Sequence, residues 1–390
     1  MANIENLKKR FNTPVSGMQV SVIRQIDEQV SSIEGIIKLT LGAPNFNTPE
    51  HIKAAGIRAI EENWSHYTPN AGLLETREAA CSFMKKKYDV DFDPKSEALI
   101  TVGATEAIAA AIMATCNPGD VILVADPAFV LYEITAEILG VEIAKQDVRD
   151  TNFLLTPEHI AAAVEKYGER LKLVVVNYPS NPCGTTYTKN ELLELAEEFS
   201  KHDVFVLSDE IYAELSYEED HTSLGKYIKD QIILVNGLSK SHAMTGWRIG
   251  LILAPQYIMQ RLMVTHQALA TAATTIAQKA ATEAWLNGLD DAQVMKKEYQ
   301  KRRDLVAEKM GAMGFEIAKP DGAFYIFAKI PAELNQNSVE FVLELAEGSK
   351  VALIPGSAFG ENGEGYVRLS YAASYEDLAE AMRRMAEYLK

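Results

Sequence analysis

Between residues 97 and 255, short apolar runs alternate with longer segments whose apolar positions recur every three or four residues. The runs are 98–102 (ALITV), 121–126 (VILVAD), 171–177 (LKLVVVN), 204–209 (VFVLSD), 232–236 (IILVN) and 249–254 (IGLILA). Segments such as 105–116 (TEAIAAAIMATC) and 189–202 (KNELLELAEEFSKH) separate them. A strand with one wet face alternates polar and apolar residues. These runs are apolar at nearly every position, so both faces must be covered. The pattern predicts an α/β fold, with a mainly parallel sheet between layers of helices. In such sheets ligands collect at the carboxyl ends of the strands.

Residues 285–390 read differently. A charged helical stretch (291–314) precedes the short runs 322–330 (GAFYIFAKI), 351–356 (VALIPG) and 366–372 (YVRLSYA), and a helix closes the chain. This predicts a smaller α+β domain. The expected division is an N-terminal arm with part of the small domain (1–48), a large domain (49–285) and a C-terminal small domain (286–390). No repeat, low-complexity linker or GxGxxG motif is present, so a dinucleotide fold lacks its fingerprint.

Charge narrows the partners. With 38 basic and 54 acidic residues the net charge is −16, which disfavours nucleic acids and anionic membranes. The three cysteines are widely spaced and the seven histidines include no HExxH pair, so neither a disulfide framework nor a zinc hydrolase is indicated. The first residues lack the apolar core of a signal peptide, and no apolar run approaches ~18 residues. A soluble cytoplasmic protein is expected.

The strand ends carry the chemistry. After 98–102 come Gly103, Ala104, Thr105 and Glu106, opening an Ala-rich helix. Such a start is either an anion site or an ordinary Thr cap. After 171–177 comes Tyr178-Pro-Ser-Asn181-Pro-Cys-Gly184, and after 204–209 come Asp209, Glu210, Ile211 and Tyr212. After 232–236 comes Gly-Leu-Ser-Lys240-Ser, with Arg248 behind it. Taken singly, the lysine reads as a solvated loop residue and the aspartate as a helix cap. Taken together they place an anion cradle, an amide, a carboxylate, a phenol, an amine and a guanidinium along one sheet edge. Pyridoxal 5'-phosphate requires that set: a helix start and an arginine for the phosphate, a carboxylate for the ring nitrogen, an amine for the aldehyde. On this reading Lys240 takes the aldehyde and Arg248 holds the phosphate.

At these residues the chain resembles the class I/II, fold-type-I, pyridoxal-phosphate-dependent aminotransferases, over essentially its whole length. The stretch 236–250 (NGLSKSHAMTGWRIG) is similar to that family's lysine signature. Further matches are 41–49 (LGAPNFNTP), 67–72 (YTPNAG), 181–184 (NPCG), 209–212 (DEIY), 322–327 (GAFYIF), 355–360 (PGSAFG) and 366–370 (YVRLS). Most similar is the bacterial branch with aromatic amino-acid and N-acetyl-diaminopimelate aminotransferases.

The resemblance implies roles. Lys240 binds the cofactor and moves protons, Asp209 pairs with the pyridinium nitrogen, and Asn181 and Tyr212 bond the ring hydroxyl oxygen. Phe129 stacks on the ring, while Ala104, Thr105, Ser239 and Arg248 hold the phosphate. Tyr67 reaches the phosphate of a neighbouring subunit, which implies a homodimer with shared sites. Arg368 clamps the substrate α-carboxylate beside the backbone of Gly42. Three departures stand out: Gly237 where many members have a phosphate-binding serine, Cys183 in place of a threonine, and APNFN in place of EPDFD.

The implied reaction is transfer of an amino group from an amino acid to a 2-oxo acid, with 2-oxoglutarate as acceptor. For the donor side chain, Pro14, Val15, Ile37 and 267–275 (QALATAATT) are expected to form apolar walls, with Arg24 the one nearby charge of unassigned place. Such walls favour an aromatic or other bulky donor. N-acetyl-diaminopimelate or aspartate remain alternatives, as does C–S β-elimination on the same fold. A cofactor-binding regulator would need a basic DNA-binding module that the chain lacks.

Overall fold

The computed structural model describes residues 3–18 and 21–390. Its centre is a seven-stranded sheet: β1 (Ala98–Thr101), β2 (Val121–Asp126), β3 (Glu142–Asp147), β4 (Leu171–Asn177), β5 (Phe205–Asp209), β6 (Ile232–Gly237) and β7 (Gly250–Leu253). The spatial order is β1-β7-β6-β5-β4-β2-β3. All pairings are parallel except those of β7 with β1 and β6. The α/β expectation therefore holds, and the six expected strands form.

The apolar runs make sense once the two faces are separated. Along β4, Leu173 and Val175 join one core while Val174 and Val176 join the other. Ile233 and Val235 of β6 likewise oppose Ile232 and Leu234. Each side chain so buried contributes about 1.5–3 kcal/mol, so a polar residue at either parity would be costly. The helix Gly103–Thr115 covers one face with Ala107, Ile108, Ala111 and Ile112. Its start presses against β7: a Cβ on Gly250 would lie 2.5 Å from the Gly103 carbonyl carbon and 2.8 Å from the Ala104 nitrogen.

β3 is the strand the sequence did not suggest. It is the last strand at its edge, and most of its residues face solvent at least in part. Its sequence, EIAKQD, is therefore free to be polar.

The chain's two ends meet in smaller sheets. β8 (Tyr325–Lys329) and β9 (Tyr366–Ser370) pair antiparallel, flanked by Glu316–Ile317 and Ile354–Pro355. Ile37–Lys38 pairs in parallel with Val351–Ala352, and Ser370 N–H bonds the Leu39 carbonyl at 2.9 Å. This stitching carries residues 40–42 to the carboxyl ends of β4, β5 and β6. Among the described residues, no helix is long and apolar enough to cross a membrane.

Candidate active site

A cavity of ≈720 Å³ opens at those strand ends. Of the residues singled out in the sequence, Gly42, Ala104, Thr105, Phe129, Asn181, Asp209, Tyr212, Ser239, Lys240, Arg248 and Arg368 line it. Tyr67 does not: its side chain is 90% exposed on the surface.

Asp209 ends β5 and is only 3% exposed. Burial pushes its carboxyl up to about 6, against the opposing pull of two donors: Tyr132 Oη at 2.6 Å and Ile211 N–H at 3.3 Å. A carboxylate in this position needs a cation before it is comfortable charged. Tyr132 was not foreseen. It lies three residues after Phe129 on the helix Leu131–Ile138, so the two rings meet edge-on at 5.8 Å.

Lys240 follows β6. Burial lowers its amine to about 8, helped by the positive charges of Arg248 and Arg368 and opposed by Asp209. Its Nζ donates to the Gly42 carbonyl at 2.5 Å and sits 5.7 Å from the rings of Tyr212 and Phe324. No carboxylate among the described residues pairs with it, so an appreciable share of unprotonated amine exists near neutral pH. A Cβ on Gly42 would lie 2.3 Å from Tyr325 Oη, so any larger residue here would have to displace that hydroxyl.

Tyr325 was also not foreseen. Its hydroxyl shares a 2.8 Å hydrogen bond with that of Tyr212, and its ring lies 4.6 Å under the Arg368 guanidinium. Arg368, on β9, is 3% exposed. It donates to Asn181 Oδ1 at 2.9 Å and to the Thr40 carbonyl at 2.6 Å, and Phe359 lies 4.7 Å away. Its Nε has no partner among the described residues, and none of their carboxylates pairs with it. A buried guanidinium without a carboxylate is set to receive one.

The anion cradle takes shape at the helix Gly103–Thr115. No side chain caps this helix start. Glu106 Oε2 accepts from Val102 N–H at 3.1 Å, and Ala104 and Thr105 of the first turn line the cavity. Arg248 leans over it: a Cβ on Gly103 would lie 2.7 Å from Arg248 Nη2. Free N–H groups, the helix dipole and a guanidinium together favour a dianion.

The departures find local explanations. Gly237 is buried where a Cβ would approach the Ile249 carbonyl oxygen to 2.9 Å, so serine there would require the backbone to shift. Cys183 is buried, and burial pushes its thiol well up, so it stays a small inert core group. Asn45 accepts from Arg302 Nη1 at 2.8 Å. The expected side-chain walls need correction. Pro14, Val15, Ile37 and 267–275 do not line the cavity; Ile23, Arg24, Asp27, Glu28, Leu41 and Ile108 do. The helix Val22–Val30 reaches the opening instead of the Thr13–Gly17 turn, which buries no residue. His242 is buried, with Nε2 on the Gly288 carbonyl at 2.9 Å.

Comparison with known proteins places the chain in a family. Residues 34–385 match the family described as aminotransferase class I and II. The chain is 44% identical to a probable N-acetyl-LL-diaminopimelate aminotransferase of Bacillus subtilis, over 96% of this chain and 94% of that one. It is 37% identical to aromatic-amino-acid aminotransferase 2 of Thermococcus litoralis, over 95% and 96%. Among solved structures, Thermus thermophilus aspartate aminotransferase with maleate superposes with a TM-score of 0.91 at 33% identity, covering 97% of this chain and 99% of that one. The chain belongs to the class I and II aminotransferases and is a pyridoxal-phosphate-dependent transaminase.

Proposed function

We propose that the enzyme moves the amino group of a long donor with a second carboxylate at its far end, of the N-acetyl-diaminopimelate type, to 2-oxoglutarate. The observation carrying this reading is Arg24, which lines the same cavity as Arg368 and has no carboxylate partner among the described residues. Both substrates then present two carboxylates to two guanidiniums, and a distal carboxylate left unpaired would be costly. The Bacillus subtilis relative named for that substrate class supports the choice. The second reading, an aromatic donor, rests on Ile23, Leu41, Ile108 and Tyr325 in the same wall.

Pyridoxal phosphate fits the donor set. The uncapped helix start, Thr105, Ser239 and Arg248 would hold its phosphate, Phe129 its ring face, Asp209 its ring nitrogen, and Asn181 and Tyr212 its ring oxygen. When bound, it supplies an electron sink for the substrate Cα. The protein does the rest. Arg368 fixes the α-carboxylate with paired donors, which restricts how the Cα–H can point. Asp209 keeps a proton on the ring nitrogen, since a buried carboxylate beside that nitrogen stabilises the protonated form. Lys240 Nζ, with its lowered basicity, removes the Cα proton and returns one on the other side of the transfer. The Gly42 carbonyl orients that amine. Tyr67, so exposed in one chain, completes the phosphate cradle of a second copy in a homodimer.

Specificity constants test the donor. N-acetyl-LL-diaminopimelate should exceed phenylalanine by about tenfold or more, roughly 1.4 kcal/mol of transition-state binding. Phenylalanine ahead by that margin establishes the second reading.

A further inference from the structure

Glu210 directly follows Asp209, is fully buried, and does not line the cavity. Four donors converge on its carboxylate. Tyr178 Oη (3.0 Å), Ser208 Oγ (2.8 Å) and Ser223 Oγ (2.9 Å) reach Oε1, and His221 Nε2 (2.9 Å) reaches Oε2. Its backbone is held as firmly: the N–H bonds the Val235 carbonyl at 2.9 Å, and the carbonyl accepts from Asn236 Nδ2 at 3.1 Å. One residue thus ties together the ends of β4, β5 and β6 and the 221–224 loop.

Burying a carboxylate this completely is costly, and the donors must offset it. A carboxylate that only joined strand ends could be replaced by an apolar residue, as buried ionic groups often can. What distinguishes Glu210 is the set of groups hanging from it. Asp209 and Tyr212 leave the same turn, and Ile211 N–H in that turn bonds Asp209 Oδ1. Tyr178 opens the segment that ends in Asn181, the residue holding Arg368.

We propose that Glu210 is a positioning residue for the cofactor ring: through the chain it sets Asp209 and Tyr212, and through Tyr178 it sets Asn181. All four side-chain partners can serve as donors, so the group at 210 acts as an acceptor. His221 Nδ1 has no partner among the described residues, while its ring stacks on Tyr178 with centroids 5.1 Å apart. The imidazole can therefore shift its proton from Nε2 to Nδ1 and accept from an amide at 210. Glutamine should consequently keep the geometry where alanine loses it.

The inference rests on the assignment of Asp209 to the ring nitrogen. The test compares unmutated protein, Glu210→Gln, Glu210→Ala and Asp209→Asn, each with added pyridoxal phosphate. Equilibrium dialysis gives cofactor affinity, and a pH titration of the bound cofactor's absorbance reports the protonation of the ring system. Glu210→Ala should weaken binding about tenfold and move the titration midpoint in the same direction as Asp209→Asn, while Glu210→Gln stays near the unmutated protein. Should Glu210→Ala fail to fold, Tyr178→Phe should show the same two changes at roughly threefold. A Glu210→Ala or Tyr178→Phe protein that melts earlier yet binds and titrates normally makes Glu210 a strand stitch and overturns the proposal. If Asp209→Asn alters neither readout, the Asp209 assignment falls, and this inference with it.

Discussion

The Tyr132 hydroxyl donates to Asp209 Oδ2 across 2.6 Å, in a pocket that water barely reaches. This bond and burial act in opposite directions on the same carboxylate. Tyr132→Phe removes the donor and leaves burial in place. Hydrogen bonds to charged groups contribute about 1.5–3 kcal/mol, so cofactor affinity should fall about 10- to 100-fold, read by dialysis, with turnover falling alongside.

Asp209→Asn should leave the cofactor bound yet cut turnover by several orders of magnitude, because an amide does not hold a protonated ring nitrogen. Without cofactor the same change has the opposite sign for stability. The Asp209 carboxyl titrates at about 6 in the fold against 3.8 for the free group. Between those values the native protein keeps a proton that the unfolded chain has released, so stability drops as pH rises through that window. Cofactor-free Asp209→Asn should therefore be more stable at pH 8 by up to about 3 kcal/mol. The gap should close below about pH 4, as measured by urea unfolding.

Arg368→Lys keeps the charge and loses the fork. With Asn181 and Thr40 using two of the guanidinium's nitrogens, a lysine cannot serve them and a carboxylate together. KM for amino donor and oxo acid should both rise, by roughly 10- to 100-fold, in steady-state kinetics.

Arg24→Ala should discriminate between substrates. KM for 2-oxoglutarate and for donors with a remote carboxylate should rise about tenfold, while phenylalanine is handled as before. Equal effects on all donors would remove Arg24 from the side-chain pocket.

Much of this was legible in the sequence because strands buried on both faces leave an unbroken apolar record. The residues that end or follow them, Asp209, Asn181 and Lys240, stand out against it. β3 escaped because an edge strand need not be apolar. Tyr132 and Tyr325 escaped because a tyrosine next to core residues carries no mark of what its hydroxyl meets: Tyr132 finds Asp209 across 77 positions, and Tyr325 finds Tyr212 across 113. The pocket walls were misplaced because the helices Thr13–Gly17 and Val22–Val30 bury only Ile26 and Val30 between them, so nothing in their pattern says which of the two faces the cavity.

The central claim is that Lys240 is the amine that binds the cofactor. Borohydride reduction of the protein with pyridoxal phosphate, followed by peptide mass spectrometry, reads this directly. The account predicts the pyridoxyl-phosphate increment on the peptide carrying Lys240 and its loss in Lys240→Ala. The increment on a different lysine, with Lys240 unmodified, would contradict it.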